Sequence, residues 1–433
     1  MTNTSGDPAE NKLDATPDEL LEANRERGDG SFETGRMIAT FRAGAFDEGV
    51  HSLRAAGLRV VDARDFAGQV VAAAELEQAD ALALPLVGAA IVTGTAAAAS
   101  GISAQSDYAQ ESPIAVSQPE RFASVTQAAA DGTFSEYLRG FVQAAETIAR
   151  GFRGTSPQVD EAQVQVLGAT WGLLTCQVPQ SAQTGGGISV AVLDTGLDLA
   201  HPDFAGRQVT SETFVGQPVQ DLYSHGTHCT GTACGPVDPP DSTPRYGIGD
   251  QASIFPGKVL SNSGTGATGS ILAGINWAIA NGCEVISMSL GGRSSVQAAY
   301  SAAGEAALNS GLLIVAAAGN DGAQTGAPAN SPSIMSVASL DQDTLTPSSF
   351  SNFGKIDIAA PGRDVFSSVP MPARYATMSG TSMATPHVAG CASLWAQTSP
   401  NLRGMDLWRK LVSTAKSLPQ PASRVGAGLV QAP

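Results

Sequence analysis

From about residue 165 onward the chain alternates short apolar runs with longer segments of helical spacing, and this alternation constrains the fold more than any other feature. ISVAVLD (188–194), ASIFPGKVL (252–260), CEVISMSL (283–290) and LLIVAAAG (312–319) read as strands. GSILAGINWAIANG (269–282) and VQAAYSAAGEAALNSG (296–311) read as helices, and SHGTHCTGTACG (224–235) as a helix start. Strands that are apolar throughout need cover on both faces. The pattern therefore predicts an α/β domain, a parallel sheet flanked by helices. In such sheets, sites form where strands end and helices begin.

At 433 residues the chain exceeds one ordinary core, so further units are expected upstream. Residues 1–32 read as a disordered or loosely helical leader, and 33–125 as a small α+β domain. Its strands are MIATFRA (37–43) and LRVVDAR (58–64), with the amphipathic helix FDEGVHSLRAAG (46–57) between them. Residues 76–94 leave helix and strand open, 95–106 read as a loop or linker, and SPIAVSQPERFASV (112–125) is strand-like. FSEYLRGFVQAAETIARGF (134–152) has helical spacing, so 126–164 is expected as a helical linker and 165–433 as the main domain.

Composition removes several function classes. Forty acidic against 24 basic residues give a formal charge of −16, the wrong sign for a nucleic-acid partner. No apolar stretch is long enough for a membrane span. The polar, acidic N-terminus lacks the basic start and apolar run of a signal peptide, so a cytoplasmic or non-classically exported protein is expected. Five cysteines are an odd count and no disulfide framework, and neither a CxxC nor an HExxH pattern offers a zinc site.

Three segments carry the chemistry: VAVLDTGLDLAHPDF around Asp194, YSHGTHCTGT around His225 and MSGTSMATPHVAG around Ser382. Each alone is weak, since strand-ending carboxylates, histidines beside glycine and G-T-S turns are all common. Together they supply a nucleophile, a base for its proton and a carboxylate to orient that base. Asp194 ends a strand, His225 begins a helix, and Ser382 follows Gly380-Thr381 at a helix N-terminus, where its own N–H has no intrahelical acceptor. AAAGN (316–320) ends a further strand on Asn320.

With these segments in the order Asp, His, Ser, residues 165 to 431 resemble a subtilase domain. The resemblance implies a serine endopeptidase fold and activity on protein or peptide substrates, with Asp194, His225 and Ser382 as triad and Asn320 as oxyanion donor. No cofactor is implied for catalysis. Substrate backbone is expected between Ser263-Gly264-Thr265-Gly266 and Ser289-Leu290-Gly291, with Ala318 and Gly319 in the wall of the primary pocket. That pocket's small walls imply broad specificity for large apolar side chains. Leu290 and Ile271 would line a more distant pocket, expected to be open because Thr268 stands where the family often has a larger gate residue. Cys229 matches a cysteine of thiol-sensitive, proteinase K-like members. Asp203 matches a carboxylate that ligates structural calcium in many subtilases, although the loop 234–250 departs from the usual ligand loop. His201, His228 and His387 read as structural.

Residues 33–125 faintly resemble a subtilase propeptide, which implies an intramolecular inhibitor and a zymogen that cuts itself somewhere after about Phe122. Two other readings stay open: a dedicated maturation protease for one precursor, and a catalytically inactive binding module.

Overall fold

The computed structural model describes residues 8–28, 31–102, 111–125, 168–241 and 243–433. The helix expected over 134–152, and the linker 126–164 around it, lie outside the described residues.

The segment expected as disordered or loosely helical contains a well-capped helix, α1 (Pro17–Arg27). The Thr16 side chain accepts from Glu19 N, the Glu19 carboxylate accepts from Thr16 N, and Pro17 opens the first turn. Leu20 on this helix is fully buried. The strands of the next unit are β1 (Glu33–Phe41), β2 (Val60–Asp62), β3 (Ala81–Leu84), β4 (Ala89–Val92) and β5 (Ile114–Ser124), with α2 (Phe46–Ala55) after β1. The ambiguous 76–94 stretch becomes the antiparallel hairpin β3–β4, paired from Ala81↔Val92 to Leu84↔Ala89. β1 lies between β4 and β5, antiparallel to both, and α2 buries Val50 and Leu53 against Phe41 and Leu58. Part of the expected linker at 95–106 is instead helical, over Gly94–Ala99.

The larger unit contains β6 (Ser189–Asp194), β7 (Glu212–Thr213), α3 (His225–Cys234), β8 (Ser253–Lys258), β9 (Thr265–Ala267), α4 (Thr268–Ala280) and β10 (Val285–Met288). It continues with α5 (Ala298–Asn309), β11 (Leu313–Ala317), β12 (Met335–Leu340), β13 (Ile358–Pro361), the hairpin β14 (Val365–Ser368) and β15 (Tyr375–Met378), α6 (Thr381–Thr398) and α7 (Gly404–Thr414). Its main sheet has the order β13-β12-β11-β10-β6-β8-β7 and is parallel throughout.

Alternation along each strand explains the two covering layers. Val190, Val192, Val285, Leu313 and Val315 pack in one core with Cys229, Ala233, Val388 and Cys391 of α3 and α6. Their neighbours Ala191, Leu193, Ile286, Ile314 and Ala316 pack in the other with Ile275, Trp277, Ala303 and Ala307 of α4 and α5. This is an α/β fold with a mostly parallel sheet flanked by helices, as the sequence pattern predicts.

The two units meet through a shared sheet. β5 pairs antiparallel with β9, so the smaller sheet runs β2-β3-β4-β1-β5-β9 and takes its last strand from the larger unit. Side chains of β5 also close two helix ends. Glu120 Oε1 accepts from Gly269 N at the start of α4, and Gln118 Oε1 accepts from Ala298 N at the start of α5, both at 2.8 Å. Glu120 is itself fully buried and held by Arg36, with Nε at 2.6 Å and Nη2 at 3.0 Å from its two oxygens. Among the described residues no helix is long and apolar enough to cross a membrane.

Candidate active site

Asp194 is the last residue of β6 and fully buried. The chain turns at Thr195-Gly196, where Gly196 has a φ of 103° and a Cβ would sit on the Val219 carbonyl oxygen. α3 starts directly against this turn. A Cβ on Gly226 would strike the Gly196 carbonyl, so the helix can bring His225 to β6 only because residue 226 has none. Asp221 fixes the approach. It accepts from Tyr223 N, Ser224 N, Thr227 N, the Thr227 hydroxyl and the Thr195 hydroxyl.

His225 Nδ1 thereby stands 2.8 Å from Asp194 Oδ1. Burial disfavours the imidazolium, but the Asp194 charge and hydrogen bond favour it, and the His225 pKa rises well above its ordinary value. Its Nε2 is buried without a hydrogen-bond partner. Ser382 is the second residue of α6, and its hydroxyl donates to the Ser289 carbonyl at 3.1 Å. Asn320 follows β11 and its Oδ1 accepts from both Thr381 N (2.8 Å) and the Thr381 hydroxyl (2.9 Å), which leaves the amide NH2 directed elsewhere. Thr381 was not singled out in the sequence, yet it orients Asn320 beside the helix start.

One recess gathers five of the expected residues: Leu290, Gly291, Gly319, Asn320 and Ser382 line it with Ala317 and Thr381. Ser124 and Val125 at the end of β5 complete its wall. The expected substrate edges are therefore occupied by the chain itself. Ala123 pairs with Gly266, Ser124 with Thr265 and also with Gly291 across the groove, and Val125 N donates to Gly264 O at 3.1 Å. Ala123 lies in one cluster with Ile271 and Leu290, and the Thr268 hydroxyl donates to Arg121 O at 3.0 Å. Ala318 does not line the recess. Its carbonyl is bonded to Gly326 N and to the Asn352 amide behind the wall. Tyr223, which the sequence did not flag, flanks Gly264 together with Val125.

Asp203 lies apart from this recess. Its carboxylate accepts the Tyr246 hydroxyl at 2.5 Å and the Tyr375 hydroxyl at 2.9 Å, and Arg374 Nη2 stands 3.7 Å away. Cys229 Sγ is 3.8 Å from His225 Nδ1, and burial pushes its pKa up, so it stays a neutral thiol. His228 and His387 are buried, their pKa values pushed down by burial to about 3 and about 4, and each bonds a backbone carbonyl. His201 bonds Arg374 O and caps the turn before Asp203.

Comparison with known proteins follows the same outline. The model of the subtilase family matches residues 185–428. Subtilisin Savinase from Lederbergia lenta is 40% identical over 269 residues, 60% of this chain and 96% of that protein. An alkaline protease from Alkalihalobacillus alcalophilus is 39% identical over 282 residues, 63% of this chain and 72% of that one. A cold-adapted subtilisin-like serine proteinase of known structure superposes with a TM-score of 0.53 at 34% identity, covering 61% of this chain and 97% of the other.

Proposed function

The chain belongs to the subtilase family of serine endopeptidases, and from that premise we propose that Asp194, His225 and Ser382 form its triad and that it is made as a self-inhibited zymogen. Ser382 Oγ attacks the scissile carbonyl, and His225 Nε2 takes its proton and later passes it to the leaving amine. Asp194 holds the Nδ1–H and stabilises the imidazolium. The oxyanion receives the Ser382 amide and the Asn320 NH2. To react, the Ser382 hydroxyl turns from the Ser289 carbonyl toward the unpartnered His225 Nε2, which frees that carbonyl for substrate backbone.

The observation that carries this reading is β5 itself. A peptide strand already lies antiparallel on β9 and Gly291 and ends beside the recess that holds Ser382 and Asn320. Substrates are read in the same way, as an added strand whose backbone gives affinity and whose alternate side chains enter pockets. Ala317, Gly319 and Gly291 make small recess walls, which favours broad acceptance, large apolar side chains included. In the uncut chain the smaller unit supplies the strand, and the self-cleavage site is expected at the first bonds beyond Val125.

The residues around Asp203 do not suit calcium. Both carboxylate oxygens accept tyrosine hydroxyls, and the neighbouring charge is the Arg374 guanidinium, so a cation would have to displace one. We read this cluster as a metal-free brace between the 202–204 turn and β15.

The test compares wild type with Ser382→Ala by mass spectrometry and casein digestion. Wild type is expected to shorten at its N-terminus and digest casein while the variant stays whole and inactive. Equal behaviour of the two rejects Ser382 as the nucleophile. A peptide library incubated with the matured enzyme then reads the specificity.

A further inference from the structure

Outside the substrate groove, the larger unit presents a compact set of hydrogen-bond donors, and the start of α1 fills it. Asp18 Oδ1 accepts from the Ser261 hydroxyl at 2.8 Å and the Ser263 hydroxyl at 2.7 Å, and Oδ2 accepts from Gln217 Nε2 at 2.9 Å. The shelf is internally fixed. Gln217 Oε1 accepts from Asn262 N at 2.8 Å, and Ser261 Oγ accepts from Ser263 N at 3.2 Å. Three donors thus converge on one carboxylate, which takes charge-assisted hydrogen bonds on both oxygens.

The shelf's position gives it meaning. Ser261–Gly264 is the turn that leads into β9, closed by Gly264 N to Ser261 O at 3.0 Å. Gly264 O in turn accepts from Val125 N, and β9 carries the pairing with β5. Two separate elements of the N-terminal region therefore hold the same seven residues, 261–267, from different directions. Apolar contacts support the polar ones. Leu13, just upstream of α1, belongs to the cluster that contains Val125, Val259 and Leu260, and the Thr16 methyl is packed at Gly216.

We propose that the Gln217–Ser261–Ser263 shelf is a carboxylate-receiving anchor, distinct from the substrate groove, and that Asp18 clips α1 onto it so that the leader stays bound after its tail has been cut. The inference rests on the reading of residues up to Val125 as an inhibitory leader. The β5 tail alone would be held by backbone pairing that any good substrate can replace. The clip adds contacts that no substrate strand supplies, so competition in the groove does not by itself expel the leader.

Two readouts on the full chain decide the matter. In the Ser382→Ala background, Asp18→Ala is expected to raise hydrogen–deuterium exchange of peptides within 13–27 at least tenfold. Glu26→Ala, at an exposed position of the same helix, leaves it unchanged. Gln217→Ala should reproduce the effect, and the double variant should add little to either single one. In the active background, the interval between self-cleavage on a gel and the onset of peptide hydrolysis should shorten several-fold for Asp18→Ala, with the cleavage rate unchanged. Unchanged exchange and an unchanged interval overturn the clip. A wild-type chain that neither cuts itself nor hydrolyses peptide overturns the zymogen reading instead, and the exchange measurement still judges the clip.

Discussion

The imidazole of His225 stands between burial, which disfavours its charge, and the Asp194 carboxylate at 2.8 Å, which favours it and prevails. A general base must be neutral, and a raised pKa keeps the ring protonated to higher pH. The acidic limb of kcat/KM for the matured enzyme is therefore expected above the ordinary histidine value of about 6.5. Asp194→Asn removes the favourable charge and leaves burial, so the limb should move down while kcat falls about 10⁴-fold, the loss found for the equivalent change in another Ser-His-Asp protease. A wild-type limb at or below 6.5 contradicts the assignment. Asn320→Ala should lower kcat about 10²–10³-fold with little change in KM, a magnitude carried over from subtilisin itself. Away from the groove, Tyr246→Phe and Tyr375→Phe each remove a hydroxyl from buried Asp203 and should cost about 1–3 kcal/mol in denaturant unfolding. Added calcium should not restore it, and full rescue by calcium would show that Asp203 is a metal ligand after all.

At the scale of elements, the helices α4 and α5 begin with amides that β5 satisfies through Glu120 and Gln118. Glu120→Ala also strands Arg36 in a buried site, so the Ser382→Ala chain should lose about 3–5 kcal/mol of stability in its leader transition. A loss under 1 kcal/mol would mean the pair is expendable. The same scale shows what the sequence could and could not disclose. β6, β8, β10 and β11 were legible because continuous apolar runs between helical segments have few other solutions. β12 to β15 were not: Met335–Leu340 and Val365–Ser368 are interrupted by Ser and lack a continuous apolar run. The three motifs named Asp194, His225 and Ser382, but Asp221, which fixes the start of the His225 helix, and Thr381, which orients Asn320, look like ordinary polar residues until the fold brings them near. Ser289, expected at a substrate edge, also accepts the Ser382 hydroxyl. α1 was readable in principle, because Thr16-Pro17-Asp18-Glu19 is a capping box with proline at the first helical position. Its polar, acidic surroundings left disorder and loose helix both open. The contact that holds it, Asp18 with Ser261 and Ser263, spans more than 240 residues of sequence and leaves no local trace.

For the whole molecule, the sheet that runs from β2 through β5 into β9 would keep the two units together once the proposed self-cleavage cuts the chain between them. Before the cut, leader and enzyme share one backbone, and the docking equilibrium is independent of how much protein is present. A covalent tether between two docked units raises their effective concentration, to roughly millimolar for short linkers. Severing it leaves every contact of the sheet in place but turns a unimolecular equilibrium into a bimolecular one. From that moment, escape depends on total concentration, so diluting freshly cut protein should hasten the appearance of activity while diluting the uncut form changes nothing. On the zymogen proposal, a continuous β-sheet thus acts as a timer whose setting is read from the number of molecules per unit volume.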